Sequence, residues 1–531
     1  MNHLVGLLSA LILGSAVALG AAEHPRIIFN NDGGDAFGID PGEGGQLSDP
    51  AFELLRRRTT GMESSGVTTI SYCTGWAFGL VLHQTRAARQ LLTMKNAGEA
   101  TGPGELTEAL AARGTDPLRV VSEFCKANGV ELWWSMRMND THDAKNPLLL
   151  SDFKKNHPDC LFGGKDRKPP RHGSWSGVDY SRPVVREFAL AIISEVIANY
   201  AIDGIELDFF RHPIFFKSVA AGGAATDDER SILTEFMKSV RERLETHNAT
   251  LPPGSKKLLL GIRCPDSAIY CRQIGLDLDA WLQGGLLDFC VFGGYFRLAP
   301  WSESAELARK YGVPSYASVD RPAVQIPDEP IEMEPSLKTN QGWITGKPDR
   351  TRQDLEAYRG RILSALSQGH QGVSFFNLFN PRHPIFKEIA DVKGMARKPA
   401  KYFYMARGTQ QSPSAWLEGG NAYFSGPIVS PGFPKGITPS GLELSLDLAL
   451  VAVPFSGSAE LSLDFTGTPA GAGPVEVFFN GAPVGELADP NGKAAVKIPP
   501  LLLAQGRNRI TIKSKDSKVL LRDVVLRVVP S

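Results

Sequence analysis

Tyr200-Ala-Ile-Asp-Gly-Ile-Glu-Leu-Asp-Phe-Phe-Arg211 alternates with a period of two, the mark of a strand whose faces differ in chemistry. Glu206 and Asp208 project to one face, and Ile205, Leu207 and Phe209 to the other. In a closed parallel barrel the outer face is covered by apolar helices, so Ile205 and Leu207 belong outside and both carboxylates point inward. Asp208, nearer the C-terminal end of the strand, reaches the mouth. Immediately upstream, Pro183 to Tyr200 places apolar residues at 184, 185, 188, 192, 193, 196 and 197, one continuous helical stripe.

This succession of helix and strand extends in both directions. Short apolar runs bounded by Gly, Pro or Asp occupy 26–29, 67–72, 130–136, 204–210, 257–262, 286–292, 314–319 and 372–376. Helical stripes at 117–127, 183–200, 228–247, 302–311 and 351–366 fall between them. Asp116 before Pro117, and Gly129, Gly312 and Gly369 just past helix ends, supply caps. Eight such strands predict an α/β chain folded as a (β/α)8 TIM barrel. The alternative is an open doubly wound sheet. Its first strand would be followed by GxGxxG, and Asn30-Asn31-Asp32-Gly33-Gly34-Asp35 lacks that spacing. Long gaps after strands two (73–115), three (137–181), four (211–227) and seven (320–352) are all βα loops, which gathers the insertions at the mouth, where barrel active sites lie.

After about residue 395 the helical period gives way to short alternating strands at 442–448, 459–464, 475–479, 494–498, 509–512 and 519–528, with Asn480-Gly481 in a hairpin position. The expected domains are 1–22, an export signal; 23–395, the barrel; and 396–531, an all-β sandwich. Residues 475–487, 498–500 and 506–508 look like the jelly-roll modules appended to many carbohydrate-active enzymes. The signal rests on an apolar run from Leu4 to Leu19 followed by Gly20, Ala21 and Ala22, although its first residues carry no Lys or Arg. Cleavage near Ala22 predicts a secreted or periplasmic protein without stable membrane insertion.

Lys plus Arg equals Asp plus Glu at 57 each, so no net field attracts polyanions and nucleic acid is not an expected partner. The six cysteines, 73, 125, 160, 264, 271 and 290, form no CxxC pair, which disfavours a zinc knuckle or a thioredoxin-like site. Only Cys264 and Cys271 lie near enough in sequence to suggest a bridge.

Asp179-Tyr180-Ser181-Arg182-Pro183-Val184-Val185-Arg186-Glu187-Phe188, followed by Asp203-Gly204-Ile205-Glu206-Leu207-Asp208, resembles the family-10-like glycosyl hydrolase barrels of secreted bacterial proteins. Their pattern is a helix opened by Pro and Val-Arg, then an aromatic and Asp-Gly-Ile before an acid-rich strand four. The resemblance spans roughly residues 26–390. It implies hydrolysis of glycosidic bonds in a polysaccharide or oligosaccharide, with a catalytic acid at Asp208. Where relatives often show paired acids, this chain has Asp208 followed by Phe209-Phe210.

Glycoside hydrolysis usually needs two carboxyl groups flanking the bond. Glu206 and Asp208 lie about 6.6 Å apart along one strand, one beneath the other, so a partner is expected from another strand end. Asp266 and Asp320 are candidates for the general acid, and Asp32 and Asp140 for binding sugar hydroxyls. Asp35 and Asp143 stand in the same loops. Arg137, Arg211 and Arg263 each follow a strand core and suit either carboxylate orientation or an acidic or sulfated sugar. Trp76, Trp134, Trp175 and Tyr295, with Phe296 and Trp301, are candidates to stack on sugar rings. His142, His172, His212 and His383 also fall near the mouth, yet without HxH or HExxH no metal or other cofactor is expected. No GxSxG elbow points to a serine nucleophile. Two other readings stay open: a glycan-binding barrel without catalysis, and a metal-dependent hydrolase or deacetylase using those histidines.

Overall fold

A computed structural model describes residues 24–36, 49–92, 105–320, 325–326, 347–348, 352–404, 412–430, 434–450, 452–468, 472–516 and 518–531. The expected export signal, 1–22, lies outside the described residues. Eight parallel strands close on themselves: β1 (Arg26–Asn31), β2 (Thr69–Cys73), β3 (Glu131–Arg137), β4 (Gly204–Asp208), β5 (Leu259–Cys264), β6 (Phe289–Phe292), β7 (Ser315–Asp320) and β8 (Gly372–Phe376). Each pairs with its neighbours in the chain, and β8 returns to β1 with Gly372 opposite Arg26. The open-sheet alternative is thereby excluded. The helices stand close to where the stripes place them, at Pro117–Asn128, Pro183–Asn199, Asp227–Thr250, Trp301–Lys310 and Leu355–Ser367, the last starting four residues after its stripe because Asp354 caps it. Asp116 caps the first of these through its side chain, and Thr226 with Glu229 forms a capping box that starts Asp227–Thr250 one residue earlier than the apolar pattern indicates.

The barrel interior is stratified. Near its N-terminal end Ile28, Trp133, Phe289, Val291 and Tyr316 form an apolar plug, with Trp133 stacked on Phe289 at 3.8 Å. Gly261 makes room for this plug, since a Cβ there would stand 2.2 Å from the Phe289 ring. Above the plug the inward residues turn polar (Ser71, Ser135, Glu206, Ser318, Ser374), and then charged (Arg137, Asp208, Arg263). An ion is costly to bury unpaired. The inward charges therefore gather towards the two ends of the barrel, Arg137, Asp208 and Arg263 at the C-terminal mouth and the Arg26–Glu131 pair at the opposite end.

Two antiparallel sheets follow. One orders Ala400–Phe403, Leu520–Pro530, Gly457–Thr466 and Gly492–Ile498, with Lys435–Gly436 also on Leu520–Pro530; the other orders Leu442–Leu448, Gly506–Ser514, Val475–Phe479 and Ala482–Leu487. Their buried alternate residues join one apolar cluster, as in a β-sandwich. Asn480 and Gly481 both take positive φ, 48° and 85°, the geometry of a two-residue hairpin turn.

The sheets are fastened to the barrel. Helix Leu355–Ser367 is buried on both sides, and a Cβ on its Gly360 would lie 2.0 Å from the Lys401 carbonyl oxygen. Arg352 pairs with Asp523, and Arg527 with Glu356 at 2.7 Å.

Candidate active site at the barrel mouth

Strand β4 places Glu206 and Asp208 inside, and Ile205, Leu207 and Phe209 outside among the helices, as alternation requires. Glu206 is completely buried. Its Oε1 accepts from Ser71 Oγ at 3.0 Å and Ser135 Oγ at 2.9 Å, while Oε2 has no partner among the described residues. Burial raises its carboxyl above the usual range, against the pull of Arg263. Asp208 stands above it and is closed off. Arg263, from β5, donates Nε to Oδ1 at 3.1 Å and Nη2 to Oδ2, and the backbone N–H groups of Phe210 and Arg211 donate to Oδ1 at 3.0 Å. The Asp208 side chain is 0% and that of Arg263 3% exposed. Asp208 therefore orders the turn after β4 and fixes Arg263, and neither of its oxygens is open to a substrate in this state.

Asp32, after β1, and His142, after β3, keep part of their surface in solvent. Arg137 donates Nη1 to Asp140 Oδ2 at 3.0 Å and holds Nη2 4.0 Å from Asp32 Oδ2; Arg58, from helix Pro50–Arg58, also pairs with Asp32. Burial would raise the Asp32 carboxyl, but Arg137 and Arg58 hold it below the usual range. Asp140 is held well below that range against burial by His142 and Arg137. Both acids are thus ionised at neutral pH, and Asp32 keeps 20% of its side chain in solvent.

His142 Nδ1 lies 2.6 Å from Asp140 Oδ1, and its Nε2 lies 2.8 Å from Arg211 Nη2. Arginine can only donate. The imidazole therefore accepts at Nε2 and donates its Nδ1 proton to Asp140. Burial, then Arg211, lowers its proton affinity despite Asp140, so the ring is neutral. His212 accepts the Thr141 backbone N–H at Nδ1, 3.0 Å away, and burial pushes it far below the usual range.

Asp140, His142 and His212 bring ligand-type atoms within 4.8 Å of one another, a convergence that sequence spacing does not reveal. A metal would need a free lone pair on each ring. The lone pair of His142 is engaged by Arg211 and that of His212 by Thr141. These donors as arranged do not fit a metal; they form a hydrogen-bonded relay.

Aromatic rings border the relay. Trp76 lies 5.8 Å from His142 and 5.7 Å from the Arg137 guanidinium, and Tyr295 lies 5.3 Å from that of Arg211. Trp416, from the segment between sheet strands Ala400–Phe403 and Lys435–Gly436, comes within 5.6 Å of His212. Nothing in the local sequence around Trp416 or Arg58 foretells this, because both arrive through tertiary packing.

Four predicted residues stand elsewhere. Trp134 lies three positions from Arg137 and so faces outward; its Nε1 donates to Thr74 Oγ1 at 2.8 Å, which makes it packing and not a sugar platform. Trp175 donates to the Ala144 carbonyl at 3.0 Å with Arg167 over its ring. Asp266 accepts from Leu298 N at 2.9 Å and Ala299 N at 3.1 Å and so anchors a loop, while burial pushes its carboxyl up to about 6. Asp320 pairs with Arg361 beside a cavity of about 90 Å³ that reaches Tyr404 and Asp447 in the C-terminal part. All six cysteines are buried free thiols.

No family model and no curated protein matches this chain. Among solved structures it is similar to the glycoside hydrolase domain of PgaB (BpsB) from Bordetella bronchiseptica, at 12% identity over 69% of this chain and 98% of that one, TM-score 0.42. It is similar to the noncanonic maltogenic alpha-amylase AmyB from Thermotoga neapolitana, at 14% over 92% and 98%, TM-score 0.36. It is also similar to a cycloisomaltooligosaccharide glucanotransferase from Paenibacillus sp., at 10% over 95% of this chain, TM-score 0.34, and spans only 57% of that protein's length. At TM-scores below 0.5 these likenesses carry no weight for activity, and the barrel rests on its own strand pairing.

Proposed function

We propose that this barrel is an exported glycoside hydrolase acting on a polysaccharide or oligosaccharide at the mouth over β1 and β3. The observation that carries this reading is a part-exposed, ionised Asp32 linked through Arg137 and Asp140 to a neutral His142, with Trp76 next to the imidazole and Tyr295 next to Arg211. An ionised carboxylate stabilises developing positive charge, and a neutral imidazole released by Arg211 takes a proton from the attacking water at Nε2 and returns it to the leaving oxygen. Aromatic faces beside them suit a pyranose. Asp208 takes part through Arg263, which it holds at the floor of the site.

The test is a panel of neutral and acidic polysaccharides with reducing-end detection on the mature protein. Asp32→Asn and His142→Gln are each expected to lower turnover by about a hundredfold, the ordinary worth of a positioned acid or base. A polymer that is cleaved at the same rate by both variants sinks the assignment. The complete engagement of Asp208 favours a second reading, glycan binding without cleavage, in which the panel is bound but releases no new reducing ends.

A further inference from the structure

Arg211, set among Asp32, Asp140 and Asp208, has no carboxylate partner among the described residues. Asp32 is held by Arg58, Asp140 by Arg137 and Asp208 by Arg263. Arg211 donates Nη2 only to the neutral His142, its Nε is buried without an acceptor, and its guanidinium lies over the Tyr295 ring at 5.3 Å. Arg263 Nη1 is also buried without an acceptor. A guanidinium bonded to a neutral imidazole has its strongest interaction still to make, since a carboxylate or sulfate brings the opposite charge and accepts two parallel bonds at once.

We propose that the mouth selects an anionic glycan, in which the carboxylate of a uronic acid or the sulfate of a sulfated sugar binds Arg211 and draws it from His142. The proposal rests on the glycan reading of this site but requires only binding. Withdrawal of Arg211 exposes the His142 Nε2 lone pair toward the ligand. The bound anion also neutralises a charge that depresses the basicity of this ring. An uncharged sugar leaves Arg211 where it is, so the same contact serves affinity and readiness for catalysis.

Because the chain is balanced at 57 acidic and 57 basic residues, a general attraction to polyanions does not mask the effect. The experiment is affinity electrophoresis of the mature chain in gels containing polygalacturonate, alginate, chondroitin sulfate, carrageenan, xylan or mannan. Carboxyl-reduced polygalacturonate and desulfated carrageenan serve as matched neutral controls. Retardation is expected with at least one acidic polymer and not with its neutralised form; the retained member tells uronate from sulfate. Arg211→Gln should weaken that retention about tenfold or more, and Arg211→Lys should restore part of it, because lysine returns the charge without the planar fork. Equal retention by the neutralised polymer, an unaltered Arg211→Gln, or no retention by any acidic polymer overturns the proposal. Cleavage of a neutral polymer without acidic binding overturns it and leaves the hydrolase reading standing. Retention of an acidic polymer without cleavage does the reverse.

Discussion

Replacing Asp208 by Asn isolates what the acid at the end of β4 does. The substitution keeps shape and an acceptor for the Phe210 and Arg211 N–H groups, but it removes the charge that balances Arg263 and turns an amide donor toward a guanidinium donor. Removing one partner of a buried ion pair costs about 3–5 kcal/mol, because the other charge is left uncompensated. Both side chains here are at or below 3% exposure, which puts them in that regime. Glu206 also attracts Arg263 and relieves part of the loss, so the lower end, about 3 kcal/mol, is expected. Arg263→Gln should cost a similar amount. The double variant, with two amides able to pair, should be less destabilised than the two single losses added together by about 2–3 kcal/mol. Urea unfolding followed by tryptophan fluorescence reads this, because Trp133 and Trp134 stand in the β3 wall; midpoints compare directly where the slopes agree. If Asp208→Asn unfolds within about 0.5 kcal/mol of wild type, the level of an ordinary surface change, the buried-pair account is wrong. Turnover of the folded variant then becomes the cleaner measure of a direct catalytic role.

His83 is fully buried, bonded through Nδ1 to Thr74 Oγ1 at 2.7 Å, and burial pushes it down to about 4. The unfolded chain therefore takes this proton first, and wild type should lose about 1.4 kcal/mol per pH unit from this group as pH falls from about 6.5 towards 4. His83→Gln should lack that contribution, and parallel pH–stability curves for the two proteins contradict it. Chelator treatment should leave glycan turnover unchanged, because both mouth imidazoles have their lone pairs engaged; activity lost to chelator and restored by zinc refutes the tautomers assigned to His142 and His212. Gly360→Ala forces a methyl against the Lys401 carbonyl and should destabilise by about 1–3 kcal/mol, as overpacking does. An unchanged melting temperature means that the helix and the first sheet strand separate at little cost.

Periodicity by itself determined the eight strands, the helices between them, the inward direction of Glu206 and Asp208 and the hairpin at Asn480-Gly481, because each depends on backbone geometry repeating within a few residues. Parity within β3 also separates Trp134 from Arg137, since residues three apart cannot share a strand face. Tertiary structure alone decided which charges meet. Arg263 reaches Asp208 because β4 and β5 set residues 208 and 263 side by side, and Arg58 reaches Asp32 from a helix 26 positions away. Asp320 ends β7 and Asp266 follows β5 by two residues, both as suitable on sequence as Asp208, yet a loop backbone claims Asp266 and Arg361 claims Asp320. A buried ion takes whatever partner the closed barrel brings within hydrogen-bond reach, and that distance is fixed by strand register and loop packing, which the order of residues along any one strand does not contain.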